Sequence, residues 1–155
     1  MLDLYDEAKA LITGLEARGL AYALCGGLAM AVHGVPRATV DIDLLIPAAA
    51  FEAVRKLARE LGYAFDALPM SFAGGAVEIR RVSKPDPESG DVLTLDLLLV
   101  TPRIESIWQQ REQVQWEEGA LWVVSRAGLI GLKSLRGSGT DQDDIAKLRE
   151  PPDER

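Results

Sequence analysis

The stretch CGGLAMAVHGVPRATVDIDLLI, residues 25–46, decides how this chain is read. It opens on the glycine pair Gly26-Gly27 and closes on a strand-like run in which Asp41 and Asp43 interrupt apolar residues. On a strand, side chains two positions apart share a face, so Asp41 and Asp43 point one way while Ile42 and Leu44 point the other and fill a core. Two like charges on one partly desolvated face repel each other, and unpaired they are costly to bury. A cation is the simplest compensation. Hard carboxylate oxygens suit Mg²⁺, which keeps several waters and is often shared with substrate phosphates. A further charge interrupts VLTLDLLLV, residues 92–100, where Asp96 is the candidate for a third carboxylate on a neighbouring strand. Three such acids can hold two metal ions about 3.5–4 Å apart, the arrangement that clamps an in-line phosphoryl displacement. At a strand-to-helix turn, glycine lets the backbone approach a ligand closely, and free N–H groups there suit phosphate. The pair is not a P-loop, because the lysine and hydroxyl of that motif are absent.

Outward from this stretch, the elements alternate. Residues 2–18 place Leu4, Ala8, Leu11, Ile12 and Leu15 at helical spacing, with Gly19 as the stop. AYALC suits a buried strand, LAMAVHG a short helix ended by Gly34, and AAFEAVRKLARELG a second amphipathic helix ended by Gly62. YAFDAL, AVEIRRV and VLTLDLLLV read as strands, with KPDPESGD a turn-rich loop. TPRIESIWQQRE reads as a helix with Thr101 as N-cap and Pro102 at its first position. QVQWEE and ALWVV form a hairpin around Gly119, Ser125 caps a helix through RAGLIGLKSLRG, and DQDDIAKLRE is a last short helix. The pattern predicts an α+β fold: a central mixed β-sheet flanked by helices, with a helical C-terminal end. The 155 residues fit one domain over 1–150, with 151–155 as a flexible tail.

Composition narrows the function classes. A net charge of −7 argues against general nucleic-acid binding, which needs phosphate-neutralising Lys and Arg. No run of about 18 apolar residues points to a membrane span. The acidic MLDLYDEAKAL start lacks the basic region of a signal peptide. A lone cysteine, Cys25, allows no internal disulfide, and the expectation is a cytoplasmic protein.

Gly26-Gly27, then Asp41-Ile42-Asp43, with Asp96 on a later strand, resembles the nucleotidyltransferase fold of the DNA polymerase beta superfamily. GGLAMAVHGVPRATVDIDLLI looks like its small prokaryotic branch, which holds minimal nucleotidyltransferases and abortive-infection type toxins. RAGLIGLKSLRGSGTDQDDIAKL resembles the C-terminal motif of that branch, with Lys133, Asp141 and Asp144 in the lysine and Asp-x-x-Asp positions. The resemblance spans about residues 21–148. It departs from the branch at Gly137-Ser138-Gly139-Thr140, where a basic loop is usual, and in lacking the added helical region of the longer toxins.

The resemblance implies a metal-dependent transfer of a nucleoside monophosphate from an NTP to an acceptor hydroxyl, with pyrophosphate released. Asp41, Asp43 and Asp96 would be catalytic and bind two Mg²⁺, or Mn²⁺. Gly26, Gly27, Arg37 and Lys133 would bind nucleotide. The acceptor is left open among a tRNA end, a protein and a small molecule such as an aminoglycoside or lincosamide. A toxin role would add an antitoxin protein as partner. The alternative is a non-catalytic module of the same fold that binds a nucleotide or a partner. Among the remaining residues, Thr39 reads as a β-formed threonine, Asp141 and Asp144 as a helix-terminus acid and an ion-pair partner, and His33 as packing or capping. Cys25 reads as a small buried hydrophobe, and Trp108, Trp116 and Trp122 as core.

Overall fold

The structure, a computed structural model, describes residues 2–36, 38–137 and 139–150. Arg37 and the 151–155 tail, both given roles above, lie outside the described residues. The chain runs α1 (Leu4–Ala17), β1 (Ala23–Cys25), α2 (Gly26–Val32), β2 (Asp41–Pro47), α3 (Phe51–Glu60), β3 (Phe65–Asp66) and β4 (Met70–Phe72). It continues through β5 (Val77–Pro85), β6 (Val92–Val100), α4 (Glu105–Gln109), β7 (Glu112–Trp116), β8 (Gly119–Val123), α5 (Arg126–Arg136) and α6 (Gly139–Arg149). This is the expected α+β architecture with a helical C-terminal end.

Among the described residues, eight strands make one mixed sheet in the order β3-β5-β6-β2-β1-β8-β7, with β4 also paired to β5. β2 runs parallel to β6, and β1 parallel to β8, while the other neighbouring pairs are antiparallel. The strict period of two divides the chemistry. Ile42, Leu44 and Ile46 of β2 and Leu95 and Leu97 of β6 are fully buried on the back face. Two helices cover that face: Glu7 of α1 pairs with Lys84 of β5, and Arg55 and Arg59 of α3 reach Asp66 of β3. The front face carries Asp41, Asp43 and Asp96. Its far half is covered by α5, whose Leu129 and Leu132 meet Leu98 around a small cavity, and whose Arg136 lies 5.8 Å from the Phe72 ring.

Local signals set most boundaries. Asp3 accepts the Asp6 backbone N–H at 3.0 Å and starts α1. Ser125 accepts from the Gly128 N–H at 3.0 Å and starts α5, as its sequence position predicts. Three expectations differ. The glycine pair is the first turn of α2 itself and not a separate turn before Leu28. Thr101 does not cap: its hydroxyl donates to the Ala76 carbonyl at 2.6 Å, and Pro102–Ile104 forms a 3₁₀ turn before a shorter α4. YAFDAL supplies only the two residues of β3, and Met70–Phe72 adds a strand because β5 is long enough to pair with both. No helix among the described residues is long and apolar enough to cross a membrane.

The aliphatic back face predicts a stability test. Leu44→Ala empties a fully buried position and should cost about 2–5 kcal/mol in urea denaturation. A loss below about 1 kcal/mol would place Leu44 outside the core.

Candidate active site

Register, not proximity in sequence, assembles the site. Cys25 pairs with Asp43 across β1–β2, Asp43 with Asp96 across β2–β6, and Asp96 with Arg81 across β6–β5. These residues form a straight row across the sheet. One step along, Asp41 pairs with Thr94. Asp41, Asp43 and Asp96 therefore share the front face, in a cleft of about 300 Å³ that Gly26, Gly27, Thr39, Arg81, Lys133, Arg136 and Asp141 also line.

The glycines are explained by close approach. Gly26 has φ +68, and a Cβ there would stand 2.6 Å from the Asp43 carboxyl carbon. A Cβ on Gly27 would stand 2.8 Å from Thr39 Cβ. Bare backbone is thus required where the chain turns from β1 into α2 beside the acids. Thr39, expected as a β-formed threonine, instead lies in the loop before β2, where its hydroxyl donates to the Asp41 carbonyl at 3.3 Å and ties this loop to the start of the strand.

The three acids are not alike. Arg81 donates to both oxygens of Asp96, from Nε at 2.7 Å and from an Nη at 2.9 Å. This two-pronged pairing fixes the carboxylate plane and raises the arginine's own pKa. Asp41 and Asp43 have no hydrogen bond or ion pair among the described residues. Burial, with Asp96 next, raises the Asp41 pKa. Burial, then Asp96 and then Asp41, pushes Asp43 up to about 7. Sequence reasoning missed Arg81. The long-range signal is that β5 carries two adjacent arginines opposite the strand that holds Asp96, but only the register shows which one faces it.

The cleft's other wall is a buried ionic cluster. Lys133 donates to Asp144 at 2.9 Å and lies 3.8 Å from Asp141, which is also 3.8 Å from Arg136. Lys133, Asp141 and Asp144 are all buried. Lys133 lines the cleft as the resemblance implies, yet its ammonium is held by α6. Asp141 and Asp144 thus join α5 to α6, and Asp144, expected to pair with Lys147 or Arg149 of its own helix, pairs with Lys133 instead.

Cys25 and His33 behave as read, Trp108 is buried, and Trp116 and Trp122 are half-buried against the core. Cys25 is buried, and burial raises its thiol pKa. The His33 Nε2 donates to the Val124 carbonyl at 2.8 Å. The Arg111 guanidinium stacks 3.8 Å from the Trp108 ring and 4.7 Å from the Trp122 ring, and Trp116 packs edge-on against Tyr5.

The donor set fits a hard cation at Asp41 and Asp43, two adjacent carboxylates that no cation among the described residues pairs with directly. Among the described residues, no three acidic, histidine or cysteine side chains converge as a ready-made metal cluster. Asp96 is already engaged by Arg81.

No protein-family model and no curated protein matches the sequence. Several solved structures match the fold. The proposed nucleotidyltransferase TM1012 from Thermotoga maritima aligns with 92% of this chain and 90% of its own, at a TM-score of 0.63 and 11% identity. The lincosamide antibiotic adenylyltransferase LnuA, solved with lincomycin, aligns over 94% of this chain and 96% of its own, at 0.58 and 17%. ANT(2″)-Ia, solved in complex with adenylyl-2″-tobramycin, aligns over 91% and 84%, at 0.56 and 15%. At these identities the likeness is one of fold, and the fold is that of nucleotidyltransferases.

The unpaired acids predict a pH-dependent cost. Native Asp43 keeps its proton to about pH 7, whereas the unfolded residue loses it near 3.8. The native state binds the extra proton between these values. Stability therefore falls as pH rises through this window, and the penalty is complete above it. In EDTA, Asp43→Asn should melt a few degrees above wild type at pH values beyond 7 and level with it near pH 3.8. Mg²⁺ should then raise the wild-type melting temperature and leave that of the variant unmoved. A gain independent of pH would contradict this electrostatic account.

Proposed function

We propose that this protein transfers a nucleoside monophosphate from an NTP to an acceptor hydroxyl and releases pyrophosphate. The carrying observation is the in-register placement of Asp41, Asp43 and Asp96 on one open face beside bare glycine backbone. The acceptor oxygen attacks the α-phosphorus, the bond to the β-phosphate bridging oxygen breaks, and the hydroxyl proton leaves to a base.

In this reading Asp41 and Asp43 hold Mg²⁺, or Mn²⁺. The bound cation supplies charge neutralisation between the acids and the phosphates. Gly26 and Gly27 leave room for the phosphates beside the acids. Asp96 stands next to Asp43 with its carboxylate fixed by Arg81, so it is oriented to accept the acceptor's proton. Lys133 and Arg136 put positive charge on the wall facing the acids, and Asp144 fixes the lysine's position. The protein's contribution is positioning and preorganised electrostatics, the main sources of catalysis in phosphoryl transfer.

A second reading rests on a specific observation. The engagement of both Asp96 oxygens by Arg81 favours a module that binds a nucleotide without transferring it.

The two readings separate in one assay. The protein is incubated with Mg²⁺ and each α-labelled NTP, alone and with total tRNA, cell lysate or hydroxylated small molecules. Label transfer with pyrophosphate release is expected, falling by about 10²–10³-fold or more in Asp41→Asn. NTP binding without release for all four nucleotides would overturn transfer and support the binding module.

A further inference from the structure

The front face of the sheet is covered on one side of the acid row and open on the other. On the covered side, Leu98 meets α5, and Phe72 lies under Arg136. On the open side the registered row is Asp41, Thr94, Ser83, Phe65, one residue per strand across β2, β6, β5 and β3. All four side chains point to the front, because Thr94 is two residues from Asp96, Ser83 two from Arg81, and Phe65 faces Ser83. Val92 continues the same face of β6. Phe65 is 63% exposed and Val92 58%.

We propose that this strip is the acceptor platform and that its occupant is an uncharged hydroxylated ring, a sugar or sugar-bearing small molecule; the proposal rests on the transfer reading above. Three observations carry it. The strip runs from Asp41 across β6, β5 and β3, the direction away from β1 and its Gly26–Gly27 turn, so a ring lying on it would present a hydroxyl to the third acid. Strands lie about 4.8 Å apart, so Phe65 sits two strands, or about 10 Å, from the strand of Asp96, the span of a one- or two-ring molecule. The chemistry is that of a small-molecule site: an exposed aromatic and an aliphatic surface with a few polar groups to set orientation. Those groups are the hydroxyls of Ser83 and Thr94, which make no hydrogen bond among the described residues.

Charge decides between acceptor classes. The guanidinium of Arg81 is neutralised by Asp96, while Lys84, Arg80 and Asp66 project from the other face of their strands. Among the described residues the strip therefore carries no row of cations to neutralise a nucleic-acid backbone, and the chain's net charge is −7.

The test combines a binding map with a transfer assay. ¹³C- and ¹⁵N-labelled protein is titrated with uncharged methyl glycosides, with tobramycin as the polycation and with a short RNA ending in a 3′ hydroxyl. The neutral glycosides should shift Phe65, Ser83 and Thr94 resonances, and Phe65→Ala, at an exposed position, should weaken that binding about tenfold with NTP affinity unchanged. For whichever probe is labelled in the transfer assay, Phe65→Ala should raise its KM by a similar factor and leave the NTP KM alone. Sugar shifts elsewhere or none, a binding constant indifferent to Phe65→Ala, or shifts at this strip from RNA or tobramycin alone would overturn the platform. Mapping requires no turnover. Sugar binding at the strip without pyrophosphate release would therefore overturn the transfer reading and spare the strip as a binding site.

Discussion

Carboxylates brought together on one sheet face repel, and the arrangement around Asp43 is organised by that constraint. Asp43 sits at the centre of the row, between the bare backbone of Gly26 on one side and Asp96 on the other. Burial and two acidic neighbours act on it together, and the described residues give it no direct ion pair. A chain selected for stability alone would place an apolar residue there. The fold instead holds Asp43 in place from both ends. Gly26 accepts a left-handed backbone so that α2 can start against the carboxylate, and Ile42 and Leu44 lock β2 into the aliphatic back face.

From that constraint the division of labour among the acids follows. Asp96 is neutralised within the protein by Arg81, and Asp141 and Asp144 by Lys133 and Arg136. Asp41 and Asp43 have no ion pair among the described residues, and under the transfer reading a bound cation would supply one. The cleft thus combines built-in ion pairs, which set geometry, with a pair of acids that Arg81, Lys133 and Arg136 offset only at a distance. Functional sites commonly keep such uncompensated groups at a cost to stability. The half-covered front face adds a second asymmetry: helices close the sheet on one side of the acids and leave it open on the other, so a molecule can lie flat beside Asp96.

The parts of this arrangement that depend on local pattern were legible in the sequence. The alternation in VDIDLLI puts Asp41 and Asp43 on one face and VLTLDLLLV marks Asp96 as a further acid, because strand periodicity is a short-range property, while the β2–β6 register brings Asp96 to their face. Ser125 announces its helix for the same reason. What depends on strand pairing was not legible. Arg80 and Arg81 are adjacent and chemically identical, and only the β5–β6 register places Arg81 on Asp96. The reason for Gly26 was half visible: a close approach was expected, but the approaching group includes the protein's own Asp43. Thr101 has the identity of a cap, and tertiary packing gives its hydroxyl to Ala76 instead. The exposed Phe65 strip belongs to a row of four strands whose order no local pattern carries.

The central claim is that Asp41 and Asp43 wait for a cation that arrives with nucleotide phosphates. The most direct measurement is a crystal structure of the protein with Mn²⁺ and a non-hydrolysable NTP analogue, the metal located by anomalous scattering. The account predicts an anomalous peak shared by Asp41 and Asp43, with the phosphates over Gly26 and Gly27. Nucleotide bound with no metal at these two acids, or Mn²⁺ bound only at another place, would contradict it.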